Sequence, residues 1–279
     1  MLVDTHCHIN TMIKKEFDVP LSSEALPEAK QIIEDTAAQG VGYIINVGTS
    51  LIESKNCIMI AQLAPQVYAS VGIHPNDATS SWRADFKEIE TLVAHKETNK
   101  IVAIGECGLD KHYPSYDIQR QKDAFKAQIE LALENNLALI VHTRDAADET
   151  LRALEEFKGQ IERGIIHCFS EDAFFAKTAI EWGLVIGIGG TITYPKNLHL
   201  RDIIATIDLD KLVLETDAPF LPPQRIRGQQ NHPCYIKEIA EYIAQLRAEP
   251  FELIAQKTTA TALRIFEINM QTKKGNMFN

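Results

Sequence analysis

The sequence predicts a (β/α)8 barrel of the TIM-barrel class with one extra C-terminal helix, and three observations carry that expectation. Short β-branched apolar runs alternate with longer amphipathic segments along the chain. Eight runs can be counted, several apolar on both faces, as parallel strands covered on both sides must be. The 279 residues suit the roughly 250 that eight strand–helix units need. An open doubly wound sheet would show a phosphate-binding glycine loop after its first strand. Here that strand runs into His6-Cys7-His8-Ile9-Asn10, which holds no glycine.

In order, the predicted strands are residues 2–6, 43–47, 67–71, 101–104, 137–141, 165–166, 184–188 and 212–214. Amphipathic helical segments between them include 24–39, 52–63, 117–135, 145–157, 172–182 and 198–207. The segment 117–135 is the clearest, with Phe125, Ile129, Ala132 and Leu133 at helical spacing. Gly40, Gly164 and Gly183 fall near helix ends, where glycine serves as a C-terminal cap. Residues 250–268 read as one further helix, and the polar end from Lys273 to Asn279 is expected to fray. No repeat, low-complexity tract or linker interrupts the pattern. A single domain over 1–279 is therefore expected, with a barrel core of about 1–248 and a closing helix of about 250–268.

Composition narrows the class further. A hydrophobic fraction of 45% and a charged fraction of 24% are ordinary for a soluble globular protein. No apolar run approaches the ~18 residues of a membrane span, and the N-terminus lacks the basic and apolar regions of a signal peptide. The expectation is a cytoplasmic protein without membrane contact, with a monomer favoured. Five cysteines, at 7, 57, 107, 168 and 234, form no Cys-x-x-Cys pair and read as reduced thiols. Cys7, Cys107 and Cys168 each neighbour a candidate ligand, so alternation should turn them to the strand's other face as packing residues. A net charge of −10 argues against a broad nucleic-acid-coating surface. It leaves room for an enzyme that grips a few nucleotides at a local site, where bound cations would offset the acidic charge.

The chemistry lies at the strand ends. His6 and His8 share one face of the first strand, and paired imidazoles suit a metal ion. The fourth run leads into Gly105-Glu106-Cys107-Gly108-Leu109-Asp110, the fifth ends at His142, the sixth at His167, and the eighth continues to Asp217. In a (β/α)8 barrel these ends converge on one face, where active sites are built. Four imidazoles and two carboxylates exceed one tetrahedral ion and suit two ions about 3.5–4 Å apart, with Glu106 bridging. Asp4, on the face of His6 and His8, and Glu215, on that of Asp217, are candidates to orient metal-bound imidazoles.

These motifs give the chain a specific resemblance. VDTHCHIN (3–10), VGIHP (71–75), IGECGLD (104–110), IVHTRDA (140–146), IHCFS (166–170) and LETDAPFLPP (214–223) resemble the TatD family of metal-dependent deoxyribonucleases, within the amidohydrolase superfamily. The resemblance implies a barrel with two divalent ions. His6, His8 and Asp217 would hold the first, His142 and His167 the second, with Glu106 between them. It further implies that His74 meets the substrate's phosphate or the attacking water. Some positions depart from the family pattern. Asn76 and Glu171 stand where another histidine and a glycine are usual, and Lys111-His112 is uncommon. The loop from Arg225 to Pro233 keeps an Arg-x-x-x-x-x-Asn-x-Pro outline, with Gln230 where a cation is frequent.

The expected activity is divalent-metal-dependent hydrolysis of DNA phosphodiester bonds, with Mg²⁺, Mn²⁺ or Zn²⁺. The substrate would be single-stranded DNA, cut from 3′ ends or at damaged sites, and DNA repair would be one setting. Asp217 would take the proton of the attacking water, with Glu106 and His74 the other catalytic candidates. His74, Arg144, Arg225, Asn231 and, more weakly, Lys111 are candidates to bind substrate. Tyr113, Tyr194 and Phe220 follow strand ends and are candidates to stack a base. Two rivals are a hydrolase of a carbonyl substrate such as D-aminoacyl-tRNA, and a non-catalytic binding protein that retains its metals.

Overall fold

A computed structural model describes residues 1–269; the predicted fraying end at Lys273–Asn279 lies outside the described residues. The elements, in order, are β1 (Leu2–Cys7), α1 (Ile9–Lys14), α2 (Leu26–Ala38), β2 (Val41–Val47), α3 (Leu51–Ala61), β3 (Val67–Val71), α4 (Trp82–Val93), α5 (Lys96–Asn99) and β4 (Ile101–Asp110). There follow α6 (Ile118–Glu134), β5 (Ala138–Arg144), α7 (Ala147–Glu155), β6 (Gly164–Ile166), α8 (Ala173–Glu181), β7 (Leu184–Ile188), α9 (Leu198–Thr206), β8 (Leu212–Leu214), α10 (Ile236–Arg247) and α11 (Phe251–Ile265). The strands pair in parallel in sequence order, β1 through β8. The seam between β8 and β1 closes at a Cys7–Ala218 bridge, where Asp217 N donates to His6 O at 2.8 Å and His8 N to Ala218 O at 2.7 Å. The fold is a (β/α)8 barrel.

All eight predicted strands form, seven within three residues of their expected bounds, while β4 runs six residues beyond the expected 104 to Asp110. The sequence reading left α4 and α10 unassigned, although Ile236, Ile239, Ala240, Ile243 and Ala244 of α10 are buried at helical spacing. Gly40 and Gly183 end helices with positive φ, but Gly164 does not. It is a strand residue of β6, paired with Leu139 and Leu184, because the chain enters the sheet directly there.

Alternation along the strands separates two apolar layers. Ile44, Ile104, Leu139, Ile166 and Leu214 face outward to the helices, while Ile45, Ala103, Ile140, Ile165, Val185 and Val213 fill the barrel lumen. Ala262 and Ile265 of α11, with Phe266 and Ile268, pack onto the lumen residues. Thr259 Oγ1 ties the same helix to Met1 O at 3.0 Å. The final helix is thus a floor beneath the amino ends of the strands, and the carboxyl ends remain free for chemistry.

Two bulges aim the chemistry inward. In β1, Asp4 pairs with Ile44 and Cys7 with Asn46, so three steps on one strand match two on its neighbour. In β4, Ile104 pairs with Leu139 and Cys107 with Val141, with the same mismatch. One extra residue reverses which face a side chain occupies. Val3 and Ala103 point into the lumen, and so do His6 and Glu106, three residues on. Glycine makes the β4 bulge feasible: Gly105 and Gly108 hold φ of 136° and 146°. A Cβ on Gly108 would lie 1.9 Å from the carbonyl oxygen of His142. Gly108→Ala is therefore expected to cost at least ~2 kcal/mol through strain and displaced backbone. Thermal unfolding followed by circular dichroism should show a Tm lower by about 4–8 °C or more; an unchanged Tm would contradict this close approach of β4 to β5.

Candidate metal centre

The four strand-end histidines lie at one mouth, and three of them have one ring nitrogen committed to a neighbour. His8 Nδ1 lies 2.8 Å from Val47 O, which can only accept, so Nδ1 carries a proton and Nε2 faces the centre. His142 Nε2 is 3.2 Å from Asp110 Oδ2 and directs Nδ1 inward. His167 Nδ1 is 2.9 Å from Glu215 Oε1, at ion-pair distance though off the line of a hydrogen bond, and directs Nε2 inward. His6 stacks on His167, with centroids 3.5 Å apart and planes 17° from parallel, and its buried Nδ1 has no partner.

Glu106 divides its two oxygens between the imidazoles. Oε2 lies 3.3 Å from His6 Nε2 and 3.8 Å from His8 Nε2. Oε1 lies 2.7 Å from His142 Nδ1, 3.6 Å from His74 Nε2 and 3.7 Å from His167 Nε2. Asp217 Oδ1 completes the group, 3.4 Å from His8 Nε2 and 3.8 Å from His6 Nε2. His6 Nε2 and His8 Nε2 are themselves only 3.1 Å apart. Donors 2.0–2.1 Å from a tetrahedral ion lie about 3.3–3.4 Å from one another. His6, His8 and Glu106 cluster near that spacing, at 3.1–3.8 Å, with Asp217 Oδ1 beside the two imidazoles, and Glu106, His142 and His167 form a second cluster around the other carboxylate oxygen. The donor set therefore fits divalent cations.

Opposing charges set the protonation states. Burial favours a neutral Glu106, but the charge of His167 and the hydrogen bonds from His142 and His6 outweigh it and hold the carboxyl well below its ordinary range. Asp217 is also lowered, burial being outweighed by the His8 hydrogen bond and His167. For His167 burial opposes the charge, yet Glu215 and Glu106 raise it to about 10. His74 lacks such a close carboxylate partner; burial and the neighbouring His142 push it down to about 3. Asp217 adopts φ of 56° and Cys168 φ of 46°. These left-handed turns at the ends of β8 and β6 swing both side chains to the mouth.

A cleft of about 660 Å³ opens above these residues. His74 lines it, as does the exposed Arg144, whose guanidinium sits 5.9 Å from the Tyr113 ring centre. Other candidates lie elsewhere. Arg225 sits in a separate cavity of about 950 Å³ beside α2 and α10, with its guanidinium on Glu238 at 2.8 Å. Asn231 is fully buried, and its amide donates to Thr216 O and Phe220 O at 2.7 Å each, so it braces the β8 loop. Lys111 is taken up by Glu149 at 2.7 Å. The hydroxyl of the buried Tyr194 donates to Pro222 O at 2.9 Å, which makes it a loop anchor.

Asp4 also departs from its expected role. The β1 bulge takes it off the face of His6 and His8, and its carboxylate accepts from Thr216 N at 3.0 Å and Thr216 Oγ1 at 2.6 Å. It fastens the β1–β8 seam, whereas Glu215 does face an imidazole. Cys7 and Cys107 are buried packing residues, but Cys168 lines the cleft because its left-handed backbone breaks the alternation. The sequence reading missed Asp110, which braces His142 and is itself held by Asn76 Nδ2 at 3.0 Å. Two-residue spacing from Glu106 through Gly108 reaches Asp110, so the signal was present. Phe17 and Asp18 also line the cleft, from a loop with no periodic pattern.

Residues 3–267 match the family model described as TatD related DNase. The chain belongs to the TatD family. It is 36% identical over 269 residues to an uncharacterized metal-dependent hydrolase, YabD, of Bacillus subtilis, covering 96% of this chain and all of that one. It is 33% identical over 256 residues to the 3′-5′ ssDNA/RNA exonuclease TatD of Citrobacter rodentium, with 90% and 96% covered. The crystal structure of YJJV, a TatD homolog from Escherichia coli K12, superposes with a TM-score of 0.84 at 30% identity, covering 96% of this chain and 98% of that one. This TatD-family chain is a metal-dependent hydrolase, and the residues that brace its imidazoles should set metal affinity. Glu215→Gln and Asp110→Asn are expected to weaken divalent-metal binding about 10- to 100-fold, read by competition with a chromophoric chelator. Arg225→Ala should bind metal like the unaltered protein.

Proposed function

We propose that this protein hydrolyses phosphodiester bonds in single-stranded DNA from the 3′ end, using two divalent cations. The observation that carries the reading is the division of Glu106 between two sets of imidazoles. His6, His8 and Asp217 would hold one cation, His142 and His167 the other, and Glu106 would bridge. When bound, the cations would lower the pKa of a water and polarise the scissile phosphate. Mixed imidazole and carboxylate donors suit Zn²⁺ or Mn²⁺, and Mg²⁺ to a lesser degree.

The chain's own residues would supply the proton handling. Asp217, ionised at neutral pH and partly open to the cleft, would accept the proton from the attacking water. His74 is neutral at pH 7, and its Nδ1 accepts from Asn76 N at 3.1 Å, which puts the ring proton on Nε2. That Nε2–H is a donor for a phosphate oxygen or for the leaving group. Arg144, with its exposed guanidinium at the rim, would hold a neighbouring phosphate.

The name borne by the Citrobacter rodentium relative supports the polymer and the polarity of attack. Five free thiols support a reducing, cytoplasmic setting, and trimming of 3′ ends is chemistry that DNA repair requires. Among the described residues no helix is long and apolar enough to cross a membrane.

The test uses metal-stripped protein reloaded with Mg²⁺, Mn²⁺ or Zn²⁺ and 5′-labelled single-stranded DNA. The unaltered chain should produce a ladder shortening from the 3′ end, and Glu106→Ala none. Asp217→Asn should lower kcat about 10²- to 10⁴-fold, and His74→Ala less. DNA left intact with every metal would overturn the reading.

A further inference from the structure

Two exposed phenyl rings, Phe17 and Phe220, line the cleft. Phe17 is 61% exposed and Phe220 39% exposed, yet their planes lie within 9° of parallel with centroids 6.3 Å apart. Phe220 reaches the metal centre directly, its ring 5.9 Å from that of His8.

Both rings are held in place. Phe220 follows Asp217 by three residues; its N–H donates to Asp217 O at 2.8 Å, and its carbonyl accepts from Asn231. The loop bearing Phe17 is tied to a buried polar network. Asp18 N donates to Glu53 Oε1 at 2.7 Å, Lys14 Nζ reaches the same oxygen at 2.7 Å, and Asn56 Nδ2 donates to Val19 O at 2.9 Å. Exposed phenyl rings fixed in parallel offer flat apolar faces to a flat ligand. Charge supports the same conclusion. Asp18, Asp77 and Asp110 line the cleft with Arg144 as its one lysine or arginine among the described residues, so phosphate neutralisation by side chains contributes little affinity there.

We propose that Phe17 and Phe220 form the base-binding site, on which the nucleotide flanking the scissile phosphate stacks. This rests on the nuclease reading above and deepens it: the substrate is recognised by an unstacked base, without sequence preference. Such a site selects single strands and frayed ends, because paired bases cannot leave their stack without cost.

The test compares two single-stranded oligonucleotides with the metal-loaded enzyme, one ordinary and one whose last two residues are abasic. Phe17→Ala and Phe220→Ala should raise KM for the ordinary strand roughly 5- to 150-fold. They should leave the slower cutting of the abasic end unchanged, and Phe220→Tyr should restore low KM. If the unaltered enzyme cuts both ends with equal KM, or the alanine variants affect both alike, base stacking is wrong while the nuclease reading stands. If it cuts neither end, the nuclease reading fails and this site falls with it.

Discussion

One buried carboxylate governs this structure. Glu106 sits among five imidazoles with almost no access to water, where an isolated charge would be very costly. It is tolerable only because positive charge surrounds it, on histidines or on cations bound by them. The same requirement passes outward. His167 is matched by Glu215, His142 by Asp110, and Asp110 by Asn76. Glu215 and Asp110 are buried as deeply as Glu106, and only Asn76, at the end of this series, is exposed. Gly187 belongs to this chain of consequences, since a Cβ there would lie 2.5 Å from Glu215 Oε2. A lumen position that would normally carry a valine or isoleucine is left bare so that a carboxylate can lie beside it.

The barrel separates stability from chemistry along its axis. Toward the amino ends the lumen is filled by Val3, Ile45, Ala103, Ile140, Ile165, Val185 and Val213 and floored by α11. Toward the carboxyl ends the same inward positions turn polar, as His142, His167 and Glu215. The left-handed residues Asp145, Cys168 and Asp217 all follow strand ends on this side, where backbone strain of ~1–3 kcal/mol per residue is offset by the packed core below.

This division explains what was legible in the sequence. Strand periodicity is a two-residue signal and apolar runs are its clearest form, so all eight strands were visible, and the ligand-type residues at their ends with them. Two departures from expectation arise where the two-residue period breaks. The β1 bulge detached Asp4 from the face of His6, and the turn at Cys168 brought a thiol to the mouth. Arg225 and Asn231 lie away from the cleft for another reason. Their loop follows β8, but the chain's path from Pro219 onward depends on tertiary contacts: Asn231 is drawn inward by two carbonyls and Arg225 outward by Glu238. Nothing in local composition distinguishes those outcomes from contact with a substrate.

An acidic protein that acts on a polyanion needs its attraction to be local. The net charge of −10 repels nucleic acid at long range, an effect that salt screens within about 10 Å at 0.1 M. Within the cleft the favourable terms would be bound cations, one guanidinium and the two phenyl faces. Such a site gains little from a long track of phosphates, so binding energy is concentrated where the bond is cut.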